Sequence, residues 1–481
     1  MKTFSTSALS LALLGMLACK PGEPDPSDTS TPTDTDTAVE DTGPPEDEPE
    51  DRAIRDEIAA DQFSRNIERT RNNPLKGFLT SYRWSEPANT LPDQMEFLYL
   101  PMASVWTENG ADFESELEPL LNAAASRGHH VILRFYIDYP NLPYGLPDYL
   151  KDQVPCEYHD HYGSGCSPDY DHPELLKAML GLIEAFAARY DGDTRLGFIQ
   201  VGLVGFWGEW HTYPYSEWFP SEATQEALLN AFHTGFETTQ LQIRRPAANS
   251  VSLRMGFHDD SFAYSTVGEE EWFFLPGLEA AGAENRWKEV AIGGELRPEL
   301  QETAFSENYV EGDFSQDPLS CIEQTHASYL LNYRAFSGNN TGYQGDQRLR
   351  AEEAALTMGY TFELRGAAMD GIVRATGEAD VTLSLQVEQT GIAPFYYPLE
   401  IRAVSTRLGQ TATSSASLET LLPGETEDVL IAFEGLPETA LREPFALEFH
   451  SPILQESQSI AWATETPWTS EEGPLLLQWS P

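Results

Sequence analysis

Between residues 77 and 360 the chain alternates a short apolar, β-branched run with an amphipathic stretch, eight times over, and few folds accept that pattern. The strand candidates are residues 77–82, 97–105, 130–137, 198–206, 240–243, 251–256, 290–294 and 328–333. Between them Phe113, Leu117, Leu120 and Ala124 recur at helical spacing before Gly128, and Leu176, Leu180, Ile183 and Ala187 do the same in a later unit. Ser221 is placed to cap a helix carrying Leu228, Leu229, Phe232 and Phe236. Eight such units over about 290 residues predict an α/β fold, a (β/α)8 TIM barrel. A doubly wound open sheet is the alternative, but no Gly-rich phosphate loop follows the first strand and no G-x-x-x-x-G-K-[ST] occurs.

Beyond Tyr360 the apolar period changes to two. Val381, Leu383, Leu385 and Val387 alternate with polar residues, as do Val429, Ile431 and Phe433, then Phe445, Leu447 and Phe449. This predicts a small antiparallel β-sandwich over residues 361–481, after a barrel over residues 58–360.

The first residues read as a processing segment. Lys2, an apolar run over residues 8–17 and Leu17-Ala18-Cys19 match a bacterial lipoprotein signal, residues 1–19, in which Cys19 is lipidated. An ordinary secretory signal is the alternative. Residues 20–57 are rich in Pro, Thr, Asp and Glu with almost nothing to bury, which predicts a disordered acidic tether. The expectation is an exported protein anchored to the membrane through Cys19, and the resemblance to lipoprotein signals, with Lys20 rather than Asp after the cysteine, implies the outer membrane of a Gram-negative cell. A formal charge of -48, from 29 basic and 77 acidic residues, argues against nucleic acid as a partner.

In a TIM barrel, function sits at the C-terminal strand ends. The third strand ends in Arg134, Tyr136 and Asp138, and the fourth in Trp207, Glu209, Trp210 and His211. The sixth carries Arg254, His258, Asp259 and Asp260, the seventh Glu295 and Arg297, the eighth Asn332 and Tyr333. Glycoside cleavage needs one protonated carboxyl and one second carboxylate. Glu209, between two indoles, is the expected proton donor, and Glu295, close to Arg297, the expected ionised partner. The remaining strand-end residues are expected to bind a poly- or oligosaccharide, with Trp84, Trp106 and Tyr213 as further stacking surfaces. A barrel that binds carbohydrate without cleaving it is the alternative, and a purely structural surface protein the third reading. No cofactor and no metal are expected, and the oligomeric state is left open. Cys156 and Cys166 bracket C-E-Y-H-D-H-Y-G-S-G-C, which in an exported chain predicts a disulfide; zinc held with His159 and His161 is the rival. Cys321 is left as a buried thiol.

At G-F-W-G-E-W-H, with N-P-L-K-G-F upstream and S-L-R-M-G-F-H-D-D, I-G-G-E-L and L-N-Y downstream, the chain resembles a bacterial family labelled domain of unknown function four-eight-three-two. The resemblance covers most of the chain from Asn73 and implies a secreted, glycosidase-like (β/α)8 barrel followed by a β-sandwich. In the wider glycosidase clan to which that family is similar, the acid/base Glu ends strand four and the nucleophile Glu ends strand seven. The resemblance therefore implies Glu209 and Glu295. That clan has Asn before its strand-four Glu, where this chain has Gly208.

Overall fold

The computed structural model describes residues 50–81, 91–312, 314–336, 342–471 and 473–480. The signal segment, Cys19, most of the tether and Trp84 lie outside these residues.

Eight parallel strands close into a barrel: β1 (Gly77–Ser81), β2 (Asp93–Pro101), β3 (His130–Tyr136), β4 (Leu196–Gln200), β5 (Leu241–Ile243), β6 (Gly256–Phe262), β7 (Ile292–Leu296) and β8 (Tyr329–Leu331). Each pairs with the next, and Leu330 of β8 opposite Phe78 of β1 completes the circle. Helices pack outside as the apolar spacing requires. In α1 (Leu117–Ser126) the buried face is Leu117, Leu121 and Ala124. In α2 (Pro173–Tyr190) it is Leu175, Met179, Leu182, Ile183 and Phe186, with Leu176 and Leu180 on its flank. Ser221 caps α3 (Glu222–Gly235), its hydroxyl accepting from Thr224 N at 3.4 Å.

The bounds of three strands depart most from expectation. β2 starts four residues early and β4 stops at Gln200. The sixth strand begins at Gly256, where it was expected to end, because residues 250–254 fold into turns that bond Leu253 N to Asn249 O and Met255 N to Ser250 O. The tether also ends sooner than expected. Arg52–Ile58 is a strand running antiparallel to Phe362–Val373, with Ile54 and Ile58 buried and the residues between them mostly facing solvent.

Beyond the barrel, Phe362–Val373, Glu378–Gln389 and Thr426–Pro437 join Arg52–Ile58 in one four-stranded sheet, and Glu400–Ser405, Thr411–Thr413, Phe445–His450 and Leu475–Leu477 form a second. Their period-two apolar faces share one cluster with barrel residues Leu75, Leu79, Met95, Ile132 and Phe198, so the sandwich core runs on into the lower barrel. The N-P-L-K-G-F motif sits at this joint. Asn73 clasps the sandwich through its side chain, donating to Ala461 O at 3.1 Å and accepting from Ala461 N at 2.7 Å. Lys76, fully enclosed, donates to Leu356 O and Tyr360 O at 2.9 Å each, and burial pushes its amine down to about 7. With the N-terminal end packed on the sandwich, the open end of the barrel is the C-terminal one.

Candidate active site

The segment after β4 is where the chain departs most from regular structure. Leu203, Trp207 and Trp210 take φ of 68°, 55° and 56°, conformations that cost about 1–3 kcal/mol apiece for residues with a side chain. They persist because backbone bonds over-determine the segment: Leu203 N to Phe135 O at 2.7 Å, Trp207 N to Asp138 O at 2.8 Å, Trp210 N to Val204 O at 2.9 Å. Gly208, at φ 72°, lies so close to β3 that a Cβ would stand 2.6 Å from Phe135 O. That contact explains why no Asn stands there. The alternation of turns sends the two indoles apart. Trp210 is fully buried in the core between barrel and helices, whereas Trp207 stays at the mouth, 5.1 Å from the Tyr162 ring.

Glu209 therefore does not lie between two indoles. Its carboxylate is bonded by Arg244, with Arg134 Nη1 and His211 Nε2 each at 3.4 Å. Arg134 is the hub beneath it, wholly enclosed inside the barrel. It donates to Asp260 at 2.8 and 2.9 Å, to Gln200 Oε1 at 2.9 Å, and approaches His258 Nδ1 at 3.3 Å. Gln200 in turn donates to Tyr329 at 3.1 Å, and Tyr329 donates to Gln242. A buried guanidinium is costly unless paired, and here two carboxylates share it. Burial works against the charge on both partners, yet the Asp260 carboxylate holds Arg134 above its usual range and Arg134 holds Asp260 far below its own. His258 is pushed down by burial.

Glu295, from β7, meets the opposite environment. Burial, then the charges of Asp260 and Glu209, push its carboxyl up to about 8, against the weaker pull of Arg134 and of the Tyr99 hydroxyl, which donates to Oε2 at 3.4 Å. Arg297 turns away from it to bond Glu299 at 2.9 Å and to stack 3.7 Å from the Tyr264 ring centre. The grounds for making Glu209 the proton donor and Glu295 the ionised partner are thereby reversed: one carboxylate is held by two guanidinium groups, the other is pushed by burial toward its neutral form. Tyr99 joins them, its ring 5.2 Å from the Arg134 guanidinium.

No family model and no curated protein matches the chain. Among solved structures it is similar to endo-glycoceramidase II from Rhodococcus sp. captured as a lactosyl-enzyme intermediate, at TM-score 0.35 and 15% identity, over 76% of this chain and 97% of that one. It is also similar to an α-amylase from Geobacillus thermoleovorans complexed with acarbose, at TM-score 0.29 and 12% identity, over 70% and 87%. A bacterial fucosidase with an iminocyclitol inhibitor stands at TM-score 0.29 and 10% identity, over 77% and 85%. Likeness this distant says nothing about the reaction.

Of the strand-end residues, Glu209, His211 and Glu295 stand at the mouth over the enclosed Arg134, His258 and Asp260, with Tyr333 within electrostatic reach of Glu295. Asp259 is buried beside them, accepting from Thr266 Oγ1 at 2.6 Å and Ser261 N at 2.9 Å, and burial pushes its carboxyl up to about 6. Asn332 is buried and accepts from Tyr343 at 3.3 Å. Tyr136 is buried against Tyr139 at 5.1 Å. Asp138 is a buried anchor, 2.7 Å from His159 Nε2, that ties the hairpin Cys156–His159 and Gly165–Pro168 to the barrel. Cys156 and Cys166 in that hairpin are joined by a disulfide, with Cα atoms 5.7 Å apart, so the thiolates that zinc would need are absent. Arg254 is not in the mouth at all: it precedes β6, with a side chain 68% exposed and paired with Glu289. Trp106 lies against Gly181 of α2, away from the carboxylates.

Arg244, Tyr99, Gln200 and Tyr139 went unnoticed in the sequence. Arg244 had a signal, since it directly follows the fifth strand, and the same strand-end rule finds it. Tyr99 and Gln200 point into the barrel from within strands, a position that reads as apolar filling.

Proposed function

We propose that the barrel hydrolyses glycosidic bonds, with Glu295 as proton donor and Glu209 as the second carboxylate. The observation that carries this reading is a pair of strand-end carboxyls at the open end of the barrel, Glu209 held by Arg134 and Arg244 and Glu295 bonded by Tyr99 with its carboxyl pushed up to about 8 by burial. Glu295 gives its proton to the glycosidic oxygen as the bond from that oxygen to the anomeric carbon breaks. The positive charge gathering on the sugar faces the Glu209 carboxylate, which Arg134 and Arg244 keep in place. Water supplies the new hydroxyl, and its proton restores Glu295. A barrel that only retains carbohydrate is the second reading, favoured by the two guanidinium groups and His211 around Glu209. Product analysis decides between them. Wild-type protein incubated with a glycan that it binds is expected to release new reducing ends, lost in Glu209→Gln; binding with no new ends leaves only the second reading.

The site would work at the cell surface, on a lipid anchor at Cys19 with the acidic segment as spacer. The disulfide, which persists in oxidising compartments, supports export. A palmitate analogue fed to expressing cells is expected to label the wild type and not Cys19→Ala; equal labelling of both would exclude the anchor.

A further inference from the structure

Beside Glu209 the mouth widens into a cleft of 590 Å³ whose charge is opposite to that of the protein. Arg244 and Arg245 enter it from the end of β5 and Arg297 from the end of β7. The whole chain has only 29 basic residues against 77 acidic ones, so three guanidinium groups in one cleft are not what an acidic surface would place there by default. The carboxylates nearby do not use them up. Glu209 engages Arg244, and Glu299, 71% exposed, engages Arg297 through its Nε alone. Arg245 bonds only the backbone carbonyl of Trp210, at 3.2 Å, and no carboxylate lies within 4.0 Å of it among the described residues. Asp259, the one acidic residue of the lining, is turned to Thr266 and Ser261. The rim is aromatic and open: Tyr213 is 67% exposed, and Trp272, 60% exposed, stands 5.7 Å from Phe314.

We infer that this cleft binds a sugar ring carrying an anionic substituent, a carboxylate or a sulfate ester, with Arg245 and Arg297 as its recognition groups. Aromatic faces suit the apolar faces of sugar rings, and the planar fork of arginine matches both anions. The inference rests on the glycoside-hydrolase reading above and names its substrate class. Arg244 is the link between the two, touching the Glu209 carboxylate on one side and the cleft on the other.

The full protein would be titrated calorimetrically with trigalacturonate, with the same trisaccharide after reduction of its carboxyls, and with a sulfated trisaccharide of equal length. One anionic form, or both, is expected to bind at least about tenfold more tightly than the neutral one, as one charge-assisted hydrogen bond would allow. Which anion binds identifies the substituent. Arg245→Gln is expected to remove that preference while leaving the melting temperature within about 2 °C, since the side chain is exposed. If the neutral trisaccharide binds as tightly as both anions, or if Arg245→Gln and Arg297→Gln each leave the preference intact, the inference is overturned. Hydrolysis is scored separately. Anion-selective binding without cleavage would remove the hydrolase reading and keep the cleft, whereas Glu295-dependent cleavage of neutral glycans alone would do the reverse.

Discussion

Replacing Arg134 with Met lowers the free energy of unfolding by about 3–5 kcal/mol, the cost of leaving a buried charge without its partner. Asp260 is the group left behind. It is enclosed, its oxygens lie 2.8 and 2.9 Å from Arg134 Nη2, its other side-chain hydrogen-bond partner is His258 at 3.2 Å, which burial pushes toward the neutral form, and Arg244 acts on it only as a more distant charge. Met fills much of the volume, so the loss reports charge and hydrogen bonding more than a cavity. Urea midpoints with unchanged m-values measure it. Arg134→Lys keeps the charge but not the fork that spans Gln200 and Asp260, and falls between the two. A loss below about 1 kcal/mol in Arg134→Met would mean that the polar interior of the barrel is not held by this residue.

The second large effect has two signs. Glu295→Gln removes the proton donor, and the cleavage rate is expected to fall by about 10²–10⁴. The same change makes the protein more stable at neutral and mildly alkaline pH. Burial pushes the folded-state carboxyl up to about 8, above the value of about 4.3 expected for an unfolded chain. Between those pH values the native state holds a proton that the unfolded state has released, so the wild type loses stability as pH rises through the window. The slope is at most about 1.4 kcal/mol per unit. Gln cannot ionise and escapes that loss. The melting temperature of Glu295→Gln minus that of the wild type is therefore expected to be small near pH 4 and to grow up to pH 8. A difference that stays flat or falls would contradict the neutral acid.

Much of this architecture is legible in the sequence because most barrel strands are apolar runs buried on both faces. The sixth is the instructive failure. Gly256–Phe262 carries His258, Asp259 and Asp260, residue types that favour turns, while the preceding Val251 and Leu253 look strand-like. The two carboxylates are tolerated within a strand because Arg134 bonds Asp260 and Thr266 and Ser261 bond Asp259, and such partners become neighbours after folding. Arg52–Ile58 was hidden for a related reason. Only Ile54 and Ile58 are buried, so an edge strand passed for the end of an acidic tether.

The site shows the same boundary. That Glu209 and Glu295 stand at strand ends follows from counting strands. Their environments do not, because these depend on where side chains turn. Trp210, adopting a left-handed conformation, leaves Glu209 for the core, and Arg244 takes its place. Arg297 leaves Glu295 for Tyr264. Two local reversals of direction were enough to exchange the two environments.

The most direct test needs no substrate. Protein labelled with ¹³C at glutamate side-chain carboxyls would be titrated by NMR, with Glu295→Gln identifying the resonance. A midpoint near 8 for Glu295 is the result expected from its burial beside Asp260 and Glu209. A midpoint in the ordinary glutamate range, about 4.3, would show that Glu295 is ionised at pH 7 and would remove the proton donor on which the proposed hydrolysis depends.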